Sequence, residues 1–396
     1  MKKNNQNKNI KWVNFLHLYQ PPSINEDTIR AAQRNSYSFI VKILKENKRA
    51  RATVNINASL LEHLEEFGYD DLIKDINRLA LGGRIELVLS AAYHPVLALV
   101  PLKEAKRQIK RNIKISNKFF PKVKIKGFFF PEMVYDKKVA KYLKTIGIKW
   151  IILDELSYKG KFNQVDYNKK YIDKNSGLQI IFRNRNYSKD YPPKIILGLL
   201  NEDHLPEVVL SGTDAELYGD RHIDYTGDFY YAVNDKRVKC QTVSEFLDGL
   251  RQKEIINPKI ASWDTSEKEL KNKESLYLWK NPKNKIHIKL WELTDLALKL
   301  VEGNRKDKGY KWARYRLDRG LSSCVYWWAS EKDFDLWDGP SWHPDQVISG
   351  AQDLIKSVRS LALISVQDKL KAEKLYLKVE ELVWKKHWSK YYKKND

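Results

Sequence analysis

The sequence predicts an α/β fold in which parallel strands alternate with helices and close into a barrel, followed by a helical C-terminal region. Three observations carry this. Short apolar runs of strand length recur from residue 10 to residue 210, too brief to be core helices. Helical spacing fills many of the intervals between them, as a parallel sheet requires. Past residue 239 the strand pattern stops and long amphipathic stretches take over. Periodicity alone leaves seven or eight strands, and barrel or open sheet, undecided.

The elements follow in order. Residues 10–16 (IKWVNFL) form a first buried strand ending at His17, and Tyr19, Gln20 and a Pro pair make a rigid loop after it. Residues 26–47 have helical spacing of Ile29, Ala32, Tyr37, Ile40 and Ile43, and 51–56 are a second strand closed by Asn57. Ser59 with Glu62 is a capping-box pattern opening the helix SLLEHLEEF. The third strand, 85–89, follows the turn at Gly82 and Gly83 and runs on to Tyr93 and His94. A helix with the basic face KEAKRQIKRNIK leads to the strand 127–130, which stops at Pro131 because proline cannot extend a ladder. Then come a helix at 137–145, a Gly147 stop, a strand at 150–153 ending in Asp154 and Glu155, and a strand at 178–182 ending in Arg183, Asn184 and Arg185. The seventh strand, 207–210, leads to Asp214. Helical stretches at 243–253, 286–301, 312–321, 345–363 and 369–388 complete the chain, with Trp-rich loops ASWDTSE, YLWKNPKN and DLWDGPSWHP between them. The expected division is a barrel domain at 1–245 and a helical domain packed on it at 246–396.

Seven strands each followed by a polar or aromatic group would collect those groups at one mouth of the barrel. Glu132, directly after the aromatic run of GFFFPEMVYD, sits on rigid backbone, although an acid there can also serve the N-terminus of the next helix. EVVLSGTDAELYGD has the same build and supplies Asp214 and Glu216. Two carboxylates at the ends of two such strands are what glycoside hydrolysis needs.

GFFFPEMVYD, TDAELYGDRH and the early HLYQPP resemble the motifs of glycoside hydrolase family 57, of the α-amylase and 4-α-glucanotransferase type. The resemblance implies a seven-stranded, distorted TIM-like (β/α) barrel and a retaining enzyme acting on α-glucans. It implies Glu132 as nucleophile, matched through the strand and the tail Val134, Tyr135, Asp136, and Asp214 as acid/base in the D-x-E-x-x-G pattern completed by Gly219. Where many members have Trp in the strand and Arg after the glutamate, this chain has Phe and Met133. His17 fits the family's H-Q-P motif with Leu18 and Tyr19 inserted, and with Gln20 and His94 it is expected to contact sugar. Glu216 would bind hydroxyls or keep Asp214 protonated by like-charge repulsion. Asp154 and Glu155 are expected to orient Glu132. Arg183 and Arg185 would pair with buried carboxylates and keep the nucleophile ionised, or form a structural salt bridge, and Arg183 is also expected to contact sugar. Trp263, Trp327, Trp328 and Trp342 are candidate sugar platforms that could equally be core residues. A carboxyl separation of about 5 to 5.5 Å would mean retention and one of about 6.5 to 9.5 Å inversion.

Composition narrows the classes. With 42% apolar and 12% aromatic residues the chain has ample core for a globular protein, and disorder is not expected. A net charge of +22 raises nucleic acid as a partner, yet the lysines are scattered over nearly every segment and read as solvated helix faces. The basic ends, MKKNNQNKNIK and WKKHWSKYYKKND, read as frayed tails. Only Cys240 and Cys324 are present, which argues against disulfides and a cysteine zinc site. No apolar leader or membrane-length run is visible, so the expected protein is cytoplasmic, needs no cofactor or metal, and has an oligo- or polysaccharide as partner rather than nucleic acid or membrane. Two other classes compete: a carbohydrate-binding homologue without turnover, and a zinc-dependent deacetylase or mannosidase. The latter needs clustered His and Asp ligands, and the eight His include no H-x-x-x-H pair.

Overall fold

The computed structural model describes residues 9–332, 334 and 341–393, so residues 335–340 of the DLWDGPSWHP loop lie outside the described residues. These fall into two compact units. The first holds the chain up to Gln20, Ile24–Ala92 and Val100–Leu270; the second holds Pro21–Ser23, Tyr93–Leu99 and the chain from Lys271 on.

One sheet of ten strands organises the first unit: β1 (Ile10–Leu18), β2 (Ala52–Ile56), β3 (Ile85–Leu89), β4 (Gly127–Phe129), β5 (Trp150–Asp154), β6 (Lys169–Asp173), β7 (Gln179–Arg183), β8 (Val208–Asp214), β9 (Val238–Gln241) and β10 (Gln252–Ile256). The row β7-β5-β4-β3-β2-β1-β8 is parallel throughout. Its ends meet where the Asn184 amide, just after β7, donates to the Leu210 carbonyl of β8 at 2.9 Å. The result is the distorted seven-stranded (β/α) barrel that the family resemblance implies.

Alternation along the strands sorts the core into two layers. Val13 and Phe15 of β1 join Val88, Phe129, Ile152, Ile181 and Leu210 in one cluster inside the barrel, while Trp12, Leu16, Val54, Leu87 and Val209 join the cluster shared with the surrounding helices. Gly127 is required by this packing: a Cβ there would lie 2.1 Å from the Trp150 ring.

Three strands are additions to the sequence reading. β6 pairs antiparallel with β7, β10 pairs with β6, and β9 lies beside the first half of β1. KKYID, VKCQ and QKEII are short, charged and covered on one face at most, so their apolar signal is weak. The stretch 243–253, expected to be helical throughout, is helical only to Asp248 before Gly249, and its last two residues begin β10. The predicted helix at 26–47 is interrupted by a π-helical turn, Gln33–Tyr37. Asn57, not Ser59, caps the helix Ala58–Glu66; Ser59 lies inside the first turn and its hydroxyl donates to the Gln20 carbonyl at 2.9 Å.

The second unit is helical, with Lys285–Gly303, Tyr310–Gly320, Ser323–Trp327, Pro344–Arg359 and Val366–Lys393. The basic C-terminal stretch expected to fray instead continues the last of these helices to Lys393. Trp279 and Trp291 are core residues, the latter stacked on Tyr326 at 4.5 Å.

Candidate active site

Because the seven barrel strands are parallel, their C-terminal ends share one end of the barrel. Residues two positions on from the inward-facing cluster are His17 on β1, Asp154 on β5, Arg183 on β7 and, four on from Leu210, Asp214 on β8. Strand parity therefore aims these side chains into the mouth.

Glu132 enters the same mouth from the turn after β4. It is 9% exposed, and both Glu132 (φ 60°) and Met133 (φ 57°) have left-handed backbone. Two consecutive non-glycine residues in this region cost about 1–2 kcal/mol each, and strain of this kind marks sites where side-chain direction matters. Tight turns hold it, with the Met133 amide on the Phe130 carbonyl at 2.7 Å. The Trp263 indole N–H donates to Glu132 Oε2 at 2.9 Å, and the Trp263 amide donates to the Glu132 carbonyl at 3.3 Å. Capping of the next helix falls to Asp136, which accepts from Lys138 and Val139 at 2.8 Å, so Glu132 is not used for that purpose.

Asp214 ends β8 opposite His17 in the register. Its side chain makes no capping bond to the 3-10 turn that follows; it accepts instead from Arg221 Nη1 at 3.1 Å. His17 donates from Nδ1 to Asn55 Oδ1 at 2.8 Å, a tautomer set by the Asn55 amide, which donates to the Val88 carbonyl at 2.8 Å. Burial pushes its imidazole down to about 4 against the opposing pull of the Asp214 charge, so at neutral pH the ring is uncharged. The same ring lies 4.6 Å from Phe129 and 5.8 Å from Trp263. His17 thus links the Glu132 side of the mouth to the Asp214 side.

Glu216 is 3% exposed rather than open to solvent. Tyr37 donates a short hydrogen bond to its Oε1, and Gln20 Nε2 donates to the same atom at 3.0 Å. The π-helical turn carrying Tyr37 grips the whole 215–220 loop. Ser36 Oγ donates to the Ala215 carbonyl at 2.7 Å, and Asn35 Nδ2 donates to Asp220 Oδ1 at 3.2 Å. Gly219 has φ +100°, and a Cβ on it would lie 2.1 Å from the Asn35 carbonyl oxygen, so this glycine is required twice over.

Burial first, and the Asp214 charge second, push the Glu216 carboxyl up to about 7. The folded chain therefore binds a proton between 4.5 and about 7 that the unfolded chain has released. Stability from this group is fully present below 4.5 and is lost as pH rises through 7. Glu216→Gln should accordingly unfold like the parent at pH 4, and at pH 8 be more stable by an amount on the order of 3 kcal/mol, measured by denaturant titration at the two pH values.

The remaining predicted residues of the barrel form one buried cluster. Asp154 accepts from Arg183 Nε at 3.1 Å and from Arg185 Nη2 at 2.8 Å. Arg183 also donates to the Gly212 and Trp263 carbonyls, and Arg185 to the Thr265 carbonyl at 2.8 Å. Glu155 accepts from the backbone amides of Arg185 and Asn163, both at 2.7 Å. His94 and Trp328 belong to the second unit. There His94 (φ 58°) bonds Ser323 Oγ through Nδ1 at 2.9 Å, and Trp328 is half-buried with its ring 5.8 Å from His343. Trp342 is 4% exposed, a core environment.

Tyr37, Asn55 and Arg221 were not singled out by the sequence. A polar residue inside the buried strand RATVNI is a signal that could have found Asn55; Tyr37 sits at an ordinary core spacing and carries none. Among the described residues no group of three or more His, Cys, Asp or Glu could hold a metal ion, and no helix is long and apolar enough to cross a membrane.

Fold and site together define a (β/α)-barrel protein with carboxylates in an aromatic-walled mouth. The chain belongs to glycosyl hydrolase family 57, whose model matches residues 5–259. It is 24% identical over 279 residues to an α-amylase of Pyrococcus horikoshii, covering 64% of this chain and 42% of that protein. The chain thus spans less than half the length of that curated relative. In fold it is similar to a 4-α-glucanotransferase of Thermococcus litoralis, with TM-score 0.68 and 18% identity over 90% of this chain and 60% of the other. An α-amylase of Thermotoga maritima gives TM-score 0.66 and 14% identity, covering 95% and 97%.

Proposed function

We propose that the protein is a retaining glycoside hydrolase acting on α-glucans. What supports this reading is that Glu132, in the turn after β4, and Asp214, at the end of β8 in register with the neutral His17, stand at the C-terminal end of one barrel in a chain of this family. Glu132 attacks the anomeric carbon while Asp214 gives its proton to the departing glycosidic oxygen, leaving a glycosyl ester on Glu132. Asp214, now a carboxylate, takes a proton from water, whose oxygen displaces Glu132 and regenerates both groups. A sugar hydroxyl in place of water makes the same site a 4-α-glucanotransferase or branching enzyme. Asp154 with Arg183 and Arg185, and Glu155 on the Arg185 and Asn163 amides, hold neighbouring segments of chain in place and do not touch the reacting atoms.

The test is incubation of the purified chain with maltooligosaccharides of one length, with products sized by chromatography. Shorter products alone are expected. Longer products beside shorter ones would assign transfer, and an unchanged substrate together with glycan binding would assign a binding homologue instead.

A further inference from the structure

Trp263 presents its indole nitrogen, not its face, to the carboxylate. The indole nitrogen lies 2.9 Å from Glu132 Oε2, while the Arg183 guanidinium lies over the ring at 5.3 Å and the rings of His17 and Phe129 pack against it at 5.8 and 5.7 Å. The guanidinium thus takes one face of the ring. The segment bearing it makes neither helix nor strand, so something else must hold it. The two arginines on Asp154 do so: beyond their carboxylate bonds they donate to the carbonyls of Trp263 at 3.3 Å, Thr265 at 2.8 Å and Ser262 at 3.4 Å. Asp154 is fully buried and both guanidinium groups largely so, a geometry that fixes direction because guanidinium forks are planar. Ser262 and Thr265 tighten the turn through their hydroxyls at 2.9 Å.

We propose that Trp263 is a positioning residue for the Glu132 carboxylate, and that Asp154, Arg183 and Arg185 act on the reaction through it by clamping the 262–265 turn. The inference rests on the reading of Glu132 as nucleophile. The indole donor pins one carboxylate oxygen, so that the group approaches the anomeric carbon in one orientation and does not rotate toward its neighbours. A strained left-handed backbone at Glu132 and a side-chain donor on its carboxylate serve the same end.

Two measurements test this. The first needs no activity. With indole nitrogens labelled, the Trp263 N–H resonance is identified by its loss in Trp263→Phe, and it should move on Glu132→Gln and on Arg185→Lys, which keeps a charge for Asp154 but cannot reach the Thr265 carbonyl as well. An unmoved resonance overturns the contact. The second is kinetic. Trp263→Phe keeps an aromatic face but no donor, and should lower kcat roughly 10- to 100-fold with KM within about twofold. Arg185→Lys should lower kcat in the same direction, and the double variant should lose less than the product of the two effects. Thermal unfolding confirms that each variant is folded. Wild-type kcat in Trp263→Phe, with a raised KM in Trp263→Ala, would restore the sugar-platform role and overturn the proposal. Full activity in Glu132→Gln would instead overturn the assignment of the nucleophile on which it rests.

Discussion

Glu132→Gln should lower turnover on maltooligosaccharides by about 10³-fold or more while leaving the chain folded. An amide oxygen is a poor nucleophile and cannot form the ester intermediate, so the loss falls on kcat rather than on substrate binding. The fold should tolerate the change because the glutamine carbonyl can still accept the Trp263 indole N–H, and because a buried negative charge is removed rather than created. The measurement is kcat and KM on a defined maltooligosaccharide, with thermal unfolding of both proteins alongside. A variant retaining a tenth of parental kcat would mean that another group attacks, and the family assignment would then no longer extend to this glutamate.

That prediction was legible in the sequence because its ingredients are local. An apolar aromatic run, a proline and a glutamate lie within GFFFPEMVYD, and DAELYG sets Asp214, Glu216 and Gly219 within six residues. The seven barrel strands were legible for the same reason, since strands covered on both faces read as near-continuous apolar runs. What escaped notice is non-local. Tyr37 reaches Glu216 across 179 positions, and its helical spacing among apolar residues shows only that it is buried. β6, β9 and β10 take their stability from partners at the rim of the sheet and have little apolar signal of their own.

The arginines show a different limit. Their residue type says that Arg183 and Arg185 will find carboxylates, and the expected partners included the nucleophile. In the structure both converge on Asp154, one position before Glu155 and at the end of β5. Partner choice depends on strand order, and β5 and β7 are neighbours although β6 lies between them in the chain. Trp263 poses the same problem in another form: composition marks it as aromatic, but only packing shows that its nitrogen, held by the arginine clamp, is the end that faces the carboxylate.

Asp214→Asn should separate the two halves of the proposed reaction. On a maltooligosaccharide the leaving oxygen needs a proton, and its loss should lower kcat by about 10² to 10⁴-fold. A nitrophenyl glycoside has a leaving group stable without protonation, so its first step should remain fast and a burst of nitrophenol should precede a slow steady rate, because the ester on Glu132 now lacks a base to activate water. Azide needs no base. Added azide should therefore raise the steady rate of the variant and leave that of the parent unchanged, with a glycosyl azide of the substrate's own anomeric configuration as product. The side chain at 214 still offers an oxygen to Arg221, which keeps the 215–220 loop in place through its grip by Ser36 and Asn35. An inverted azide product would replace the covalent route with direct displacement. An azide-independent rate equal to the parent's would move the acid/base role to the neighbouring Glu216, whose carboxyl, held up to about 7 by burial, still carries a proton at mildly acidic pH.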